Sequence, residues 1–285
     1  MRMNLQQPLD LALSLDSGQA FRWREKNGWW WGTLGQVAIK MRVVRDDLEI
    51  FSSPVAEEQL RYMIRDYFSL DDDYSEILES FQEDQYLDSV AKQFSGLCIL
   101  KQEFWECLVA FLCSAECSVV RIRRMTEDLS RVFGNRVSIE GHTLWTFPEA
   151  YILAQASETE LRDLGLGFRA PNILQAAQHV ASGVVNKAVL QQMSYTEALS
   201  ELMKFRGVGP KIASCVLLFS IDKKEAFPVD RWVRRSLERV YGLPDQLSQP
   251  AIEDWAQNRF GPNAGYAQQL LFHAEWTGAK NKPAR

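Results

Sequence analysis

Between Ala20 and Pro54 the apolar residues alternate, and beyond Pro54 they recur every three or four positions. That change of period constrains the fold more than any other feature of the chain. In "QVAIKMRVV", Val37, Ile39, Met41 and Val43 share one face, the pattern of a half-buried strand. "AFRWRE", "GWWWGTL" and "LEIFSS" are short aromatic or β-branched runs, separated by Asn27-Gly28, Gly35 and Asp46-Asp47. Together they read as an antiparallel meander. After Pro54, "VAEEQLRYMIRDYF" sets Leu60, Met63, Ile64 and Tyr67 at helical spacing, and "FWECLVAFLCS" sets Trp105, Leu108, Phe111 and Leu112 on one stripe. Further helices are expected near 121–133, 158–164, 171–182, 195–205, 211–221, 231–241, 249–259 and 264–275. No low-complexity linker or fixed-period repeat interrupts the series. The simplest solution is an α+β protein: an antiparallel β-domain with flanking helices over 1–95, packed on an all-helical domain over 96–285.

Composition narrows the function classes. The chain has 285 residues, 46% hydrophobic and 24% charged, as expected of a soluble globular protein. No apolar run is long enough to span a bilayer, so no membrane association is expected. The first residues, "MRMNLQQPLDLALSL", carry no secretory pattern. The expected location is therefore the cytoplasm or nucleoid of a bacterium, or the nucleus of a eukaryote. Five cysteines, an odd number without a close CxxC pair, argue against a disulfide framework or a cysteine-ligated cluster. His142, His179 and His273 are too scattered for a zinc centre.

A net charge of −5 does not advertise a nucleic-acid binder, but placement matters more than the sum. Acid is concentrated early, at Glu57-Glu58 and Asp71–Asp73. Base gathers later, at Arg121, Arg123, Arg124 and Arg131; at Lys204, Arg206 and Lys211; at Arg231, Arg234, Arg235 and Arg239; and in "KNKPAR". Any one of these clusters is equally well a solvated helix face.

The stretch "RGVGPKIASC", Arg206 to Cys215, carries the chemistry. It follows an amphipathic helix, "SYTEALSELMKF". Gly207 and Gly209 permit close backbone approach. Pro210 suits the first turn of the next helix. The result is a helix–hairpin–helix whose turn amides, at Gly207, Val208 and Gly209, offer an anion site that a phosphate fits. Lys211 then sits at the positive end of a helix, which disfavours an ammonium by ~0.3–1 kcal/mol. An apolar neighbouring helix acts in the same direction. A neutral lysine amine is a nucleophile that forms Schiff bases; the plainer alternative is a cation that binds phosphate. In "FPVDRWVRRSLERVYG", Asp230 falls where a helix N-cap belongs. Beside a nucleophilic lysine the same carboxylate can stabilise an oxocarbenium-like sugar.

"LMKFRGVGPKIASCVLLFSIDKKEAFPVDRWVRRSL" resembles the helix–hairpin–helix, Gly-Pro-Asp loop superfamily of DNA base-excision glycosylases. Five more stretches resemble its eukaryotic-type 8-oxoguanine branch: "LDSGQAFRWRE", "YFSLDDDY", "FLCSAECSVVRI", "LGLGFRA" and "AGYAQQLLFHAEW", in that order along most of the chain. The resemblance implies a bifunctional DNA glycosylase and AP lyase for 8-oxoguanine opposite cytosine. It implies a monomer acting on double-stranded DNA that contains an oxidised purine, with neither cofactor nor metal. Lys211 resembles the nucleophile that attacks C1′, and Asp230 the group that balances the sugar cation. A lesion in duplex must first be extruded into a pocket. There Gly18 resembles the glycine whose carbonyl accepts N7–H of 8-oxoguanine. Cys215 and Phe272 resemble the two walls around the base, and Gln268 the amide on its Watson–Crick edge. By its own context Gln268 reads as a surface amide, and Cys215 and Phe272 as core residues. Cys215 lies four residues after Lys211, and Phe272 four after Gln268, so each pair shares a helix face.

Arg121 and Arg169 resemble the pair that reads the orphaned cytosine. Two positions depart from the family. Trp232 stands where animal relatives have histidine. Glu116, Cys117 and Ser118 stand where the family has an asparagine run. Glu116 either accepts from cytosine N4 or pairs with Arg121 or Arg123. Rival readings are a glycosylase for another damaged purine, a non-catalytic hairpin DNA-binding protein, and an RNA-binding module, the last without an aromatic-rich reading strand.

Overall fold

The computed structural model of the chain describes residues 1–280. The end of the expected basic tail, Asn281–Arg285, lies outside the described residues. The period-two region forms one five-stranded antiparallel sheet in the order β1-β5-β4-β3-β2. Its strands are β1 (Arg2–Asn4), β2 (Arg24–Lys26), β3 (Trp29–Leu34), β4 (Val37–Val44) and β5 (Asp47–Ser52). Met41 is central, opposite Trp30 on one side and Ile50 on the other. Ile39, Met41, Leu48 and Ile50 are fully buried, while Val37 and Val43 complete the same face half-buried. The expected alternation is therefore present. The outer face carries Trp29 and Trp31, with the Lys40 ammonium 4.2 Å from the Trp29 ring.

Sequence patterning missed β1, which has only three residues and exists because β5 offers it a ladder. It also missed α1 (Leu11–Leu15) and a second small sheet, β6 (Arg136–Ile139) with β7 (His142–Trp145).

The remaining elements are helical. They run α2 (Glu57–Tyr67), α3 (Tyr74–Glu79), α4 (Gln85–Gln93), α5 (Phe104–Cys113), α6 (Val119–Phe133), α7 (Ala150–Leu153), α8 (Glu158–Leu161), α9 (Ala170–Ala181), α10 (Lys187–Gln192), α11 (Tyr195–Leu202), α12 (Pro210–Val216), α13 (Arg231–Tyr241), α14 (Gln249–Phe260) and α15 (Ala264–Lys280). Two of the expected helices change pitch. Residues 162–166 and 217–221 continue α8 and α12 as π-helical turns, and Gly165 takes φ 81° inside the first.

Two hydrophobic cores result. The first joins the inner sheet face to α1 and α2, through Leu15, Trp23, Leu60, Ile64 and Phe68. The second is built around α5, in which every residue except Glu106 is buried. The cores do not part the chain at one point. Tyr74, Ile77, Phe81, Leu87 and Phe94 pack into the second, and Cys98 and Leu100 return to the first.

One buried amide locks the crossing between them. Gln19 donates to the Ser17 hydroxyl at 3.0 Å and the Cys98 carbonyl at 2.9 Å, and accepts from the Leu100 amide at 3.0 Å. Gln102 donates to the Gln19 carbonyl at 2.9 Å. These bonds fix the loop that carries Gly18.

Candidate active site

The hairpin begins with α11, whose N-terminus is closed by a Ser194–Glu197 capping box. Gly207 turns the chain with φ 82°, and a Cβ there would overlap the Asn172 side chain. The turn is thus reserved for glycine by conformation and by space. The three expected phosphate amides are not equivalent. The Val208 amide is taken by the Phe205 carbonyl at 3.1 Å and its side chain is buried, because it plugs the hairpin onto the core. Gly209 caps α12 without a side-chain bond, and Pro210 occupies the first turn.

Lys211 follows at once. Its Nζ lies 5.1 Å from the centre of the Phe111 ring and 3.4 Å from the Ser114 hydroxyl. Both partners come from α5 and its C-terminus, so the central helix sets the amine's position. Asp230 is the N-cap of α13, as expected; its Oδ1 accepts from the amides of Trp232 and Val233, each at 2.9 Å. Burial raises the Asp230 carboxyl above its ordinary range, against the two amide bonds and the nearby Lys211 ammonium. Cys215 is fully enclosed. Burial pushes its thiol up to about 11, again against the charge of Lys211. Lys211, Cys215 and Asp230 therefore share one electrostatic neighbourhood.

The pocket loop meets the last helix. Gly18 has φ 79°, and a Cβ built on it would stand 3.3 Å from Cζ of Phe272. Phe272 stacks on Trp276 with ring centroids 5.8 Å apart. Gln268, one turn earlier, is buried rather than on the surface. Its Oε1 has no hydrogen-bond partner among the described residues, which leaves a buried acceptor unsatisfied. The neighbouring Gln269 donates to the Ser17 carbonyl at 2.9 Å and ties the Gly18 loop to α15.

The loop between α5 and α6 holds Glu116 with φ 48° and an exposed side chain. Neither expected ion pair forms. Arg123 pairs with Asp16 instead, and Arg121 is exposed with no carboxylate partner among the described residues. Arg169 is 2% exposed. Its Nε donates to the Ala115 carbonyl at 3.1 Å and its Nη2 reaches the Ala115 and Glu116 carbonyls. It holds this loop from below. Its neighbour Phe168 is 53% exposed, with the Arg169 guanidinium 4.3 Å from its ring.

Residues 109–260 match the family model of the HhH-GPD superfamily base excision DNA repair proteins, and residues 2–108 that of the 8-oxoguanine DNA glycosylase N-terminal domain. The chain belongs to the HhH-GPD superfamily. A superfamily relative from Methanothermobacter thermautotrophicus, named "Probable N-glycosylase/DNA lyase", is 31% identical over 94% of both chains. The solved structure of MBOgg1 in complex with a low affinity DNA ligand matches with a TM-score of 0.92 at 32% identity, over 98% of this chain and 96% of that one. The Clostridium acetobutylicum 8-oxoguanine glycosylase/lyase, solved with dsDNA containing cytosine opposite 8-oxoG, matches with a TM-score of 0.90 at 28% identity, over 98% of each chain.

Within this HhH-GPD chain the fold brings Lys211, Cys215 and Asp230 together, and separately Gly18 with Phe272. The π-helical turn that continues α12 meets the start of α15, where Gly265 lies so close to Leu218 that a Cβ would overlap it. Sequence reading missed Gln19 and Gln269, which hold the pocket loop. No local pattern marks them, since each acts on a distant backbone carbonyl or amide. It also missed Phe168, which only its exposure beside Arg169 reveals. Among the described residues no cluster of metal-ligating side chains occurs, and no helix is long and apolar enough to cross a membrane.

Proposed function

We propose that this chain removes 8-oxoguanine paired with cytosine from duplex DNA and then nicks the strand at the abasic sugar. One observation carries the reading: Lys211 and Asp230 adjoin a buried thiol, Cys215, on the helix that starts at the hairpin. Phosphate binding alone requires neither the buried carboxylate nor the enclosed thiol, which weighs against a silent DNA-binding protein.

In this reading the Lys211 amine attacks C1′ of the extruded nucleotide, and the glycosidic electron pair leaves with the base, which takes up a proton. Asp230, ionised, balances the oxocarbenium character of the sugar. The C1′ nitrogen then loses a proton, its lone pair expels the ring oxygen, which takes up a proton, and a Schiff base forms; loss of a C2′ proton makes the C2′–C3′ double bond and expels the 3′ phosphate. The base sits between Cys215 and Phe272, with the Gly18 carbonyl on N7–H and Gln268 on the pairing edge. The unsatisfied Gln268 Oε1 supports the last assignment. Free amides at Gly207 and Gly209 hold the backbone. Arg121 and Glu116 face the orphaned cytosine over a loop braced by Arg169. Exposed Phe168 is placed to fill the gap in the stack. We further propose units of 1–95 and 96–285, acting as a monomer.

The net charge is not an obstacle. Arg121, Arg206, Arg231 and Arg235 have no ion pair among the described residues, nor have Arg45 and Arg136, whereas Arg24 is neutralised by Glu127 and Arg259 by Asp84.

Duplex oligonucleotides carrying single lesions test the proposal. Base release is expected from 8-oxoguanine, and borohydride should trap a covalent protein–DNA adduct. Lys211→Gln should abolish both while keeping DNA binding. Undiminished trapping in that variant moves the nucleophile elsewhere. Faster release of a different damaged purine selects the rival glycosylase.

A further inference from the structure

The arginines of α13 fall into two classes. Arg234 is consumed by the carbonyls of Asp245 and Leu247 at 2.8 and 3.0 Å. Arg239 is consumed by Glu275 at 2.9 Å and the Tyr86 hydroxyl at 3.1 Å. Arg231 and Arg235 have neither hydrogen bond nor ion pair among the described residues, and both are exposed. Glu238, the acid within the helix, pairs with neither, and Arg231 acts on the adjacent Asp230 through its charge without an ion pair. Yet the two are not loose. The Arg231 guanidinium lies 5.0 Å and that of Arg235 5.4 Å from the Trp232 ring centroid. Trp232 itself is half-buried, and its backbone amide is fixed by Asp230 at 2.9 Å.

A guanidinium held by its face keeps its in-plane N–H donors free. Those donors match the fork geometry of phosphate oxygens. An indole that holds two of them also lowers the conformational entropy lost when they bind. The end of the helix is not itself the anion site, because Asp230 already occupies the amides of Trp232 and Val233.

We infer that Trp232 is a positioning residue that presents Arg231 and Arg235 as a two-pronged grip on the DNA phosphates beside the nucleotide facing Asp230. The inference rests on the glycosylase reading for the location of the DNA. The grip is built from side chains flanking the catalytic carboxylate, and it explains why two of four arginines on one helix are left without partners.

Salt-dependent binding of a lesion-containing duplex tests the grip, measured in Lys211→Gln protein so that the DNA stays intact. Each phosphate neutralised contributes about −0.9 to the slope of log K against log salt. Arg231→Ala and Arg235→Ala should each make the slope shallower by about one, additively in the double variant. Trp232→Ala should weaken binding, and Trp232→Phe, which keeps a ring, should restore it. Lys26→Ala, on an exposed edge of the sheet, should leave the slope unchanged. Unaltered slopes in both arginine variants overturn the inference, as does parental affinity in Trp232→Ala. An active enzyme whose arginine variants keep the parental slope loses the grip and keeps the glycosylase reading. A parent that excises nothing, but whose slopes fall as expected, loses the glycosylase reading and keeps the grip.

Discussion

Gly18 sits against the edge of Phe272, with room for a Cβ only at 3.3 Å from the ring. The contact joins the loop entering the sheet to the last helix of the chain, and it defines one end of the proposed base pocket. Alanine at position 18 must accept φ 79° as well as the ring, a strain of about 1–2 kcal/mol. Cys215→Trp should fill the same space from the other side. Each substitution is expected to lower 8-oxoguanine excision at least roughly tenfold, a factor equivalent to about 1.4 kcal/mol. Cleavage of a preformed abasic site should change far less, because it needs Lys211 and no base. Equal losses on both substrates would point to misfolding instead.

Asp230 should be replaceable for folding but not for chemistry. Its carboxyl is raised by burial, so the folded state holds the proton more tightly than the unfolded chain does. Stability from this group is therefore lost as pH rises from the ordinary carboxylate range through the raised value. Asn keeps an oxygen for the Trp232 and Val233 amides and carries no charge. Thermal melts at neutral pH should give Asp230→Asn a Tm equal to or above the parent, with excision strongly reduced. A Tm well below the parent's would show that the ionised carboxylate stabilises the fold.

Gln269 should behave as a brace for the pocket. Gln269→Ala leaves the buried Ser17 carbonyl unpaired, which costs about 1–3 kcal/mol. The expected result is a lower melting temperature together with a raised KM for lesion duplex and a smaller change in abasic-site cleavage. Parental KM in a destabilised variant would confine Gln269 to a structural role.

Glu116 makes a prediction about the opposite base. It is exposed and has no ion pair among the described residues, so its carboxylate is available to accept from cytosine N4. Adenine offers a similar donor; thymine and guanine present a carbonyl. Excision should therefore be fastest opposite cytosine, then adenine, then thymine and guanine. One such contact is worth about 1–3 kcal/mol, or roughly tenfold to a hundredfold. Glu116→Gln should be mild and Glu116→Lys severe. Equal rates opposite cytosine and guanine in the parent would remove Glu116 from base reading.

What the sequence determined by itself is local. The alternation around Ile39 and Met41, the helical stripe of α5, the N-cap at Asp230 and the shared face of Lys211 and Cys215 all depend on neighbours within one or two turns. Period and capping chemistry report such neighbours directly. Only the tertiary structure decided which long-range partner each polar group found. Arg123 went to Asp16 rather than Glu116, Arg169 was spent on loop carbonyls, and Gln268 was buried with its Oε1 unsatisfied. A guanidinium or an amide bonds equally well to many acceptors, so its sequence context does not choose among them. The choice follows from which backbone groups the packing of α5, α12 and α15 leaves without water, and that is settled only when the whole chain has folded.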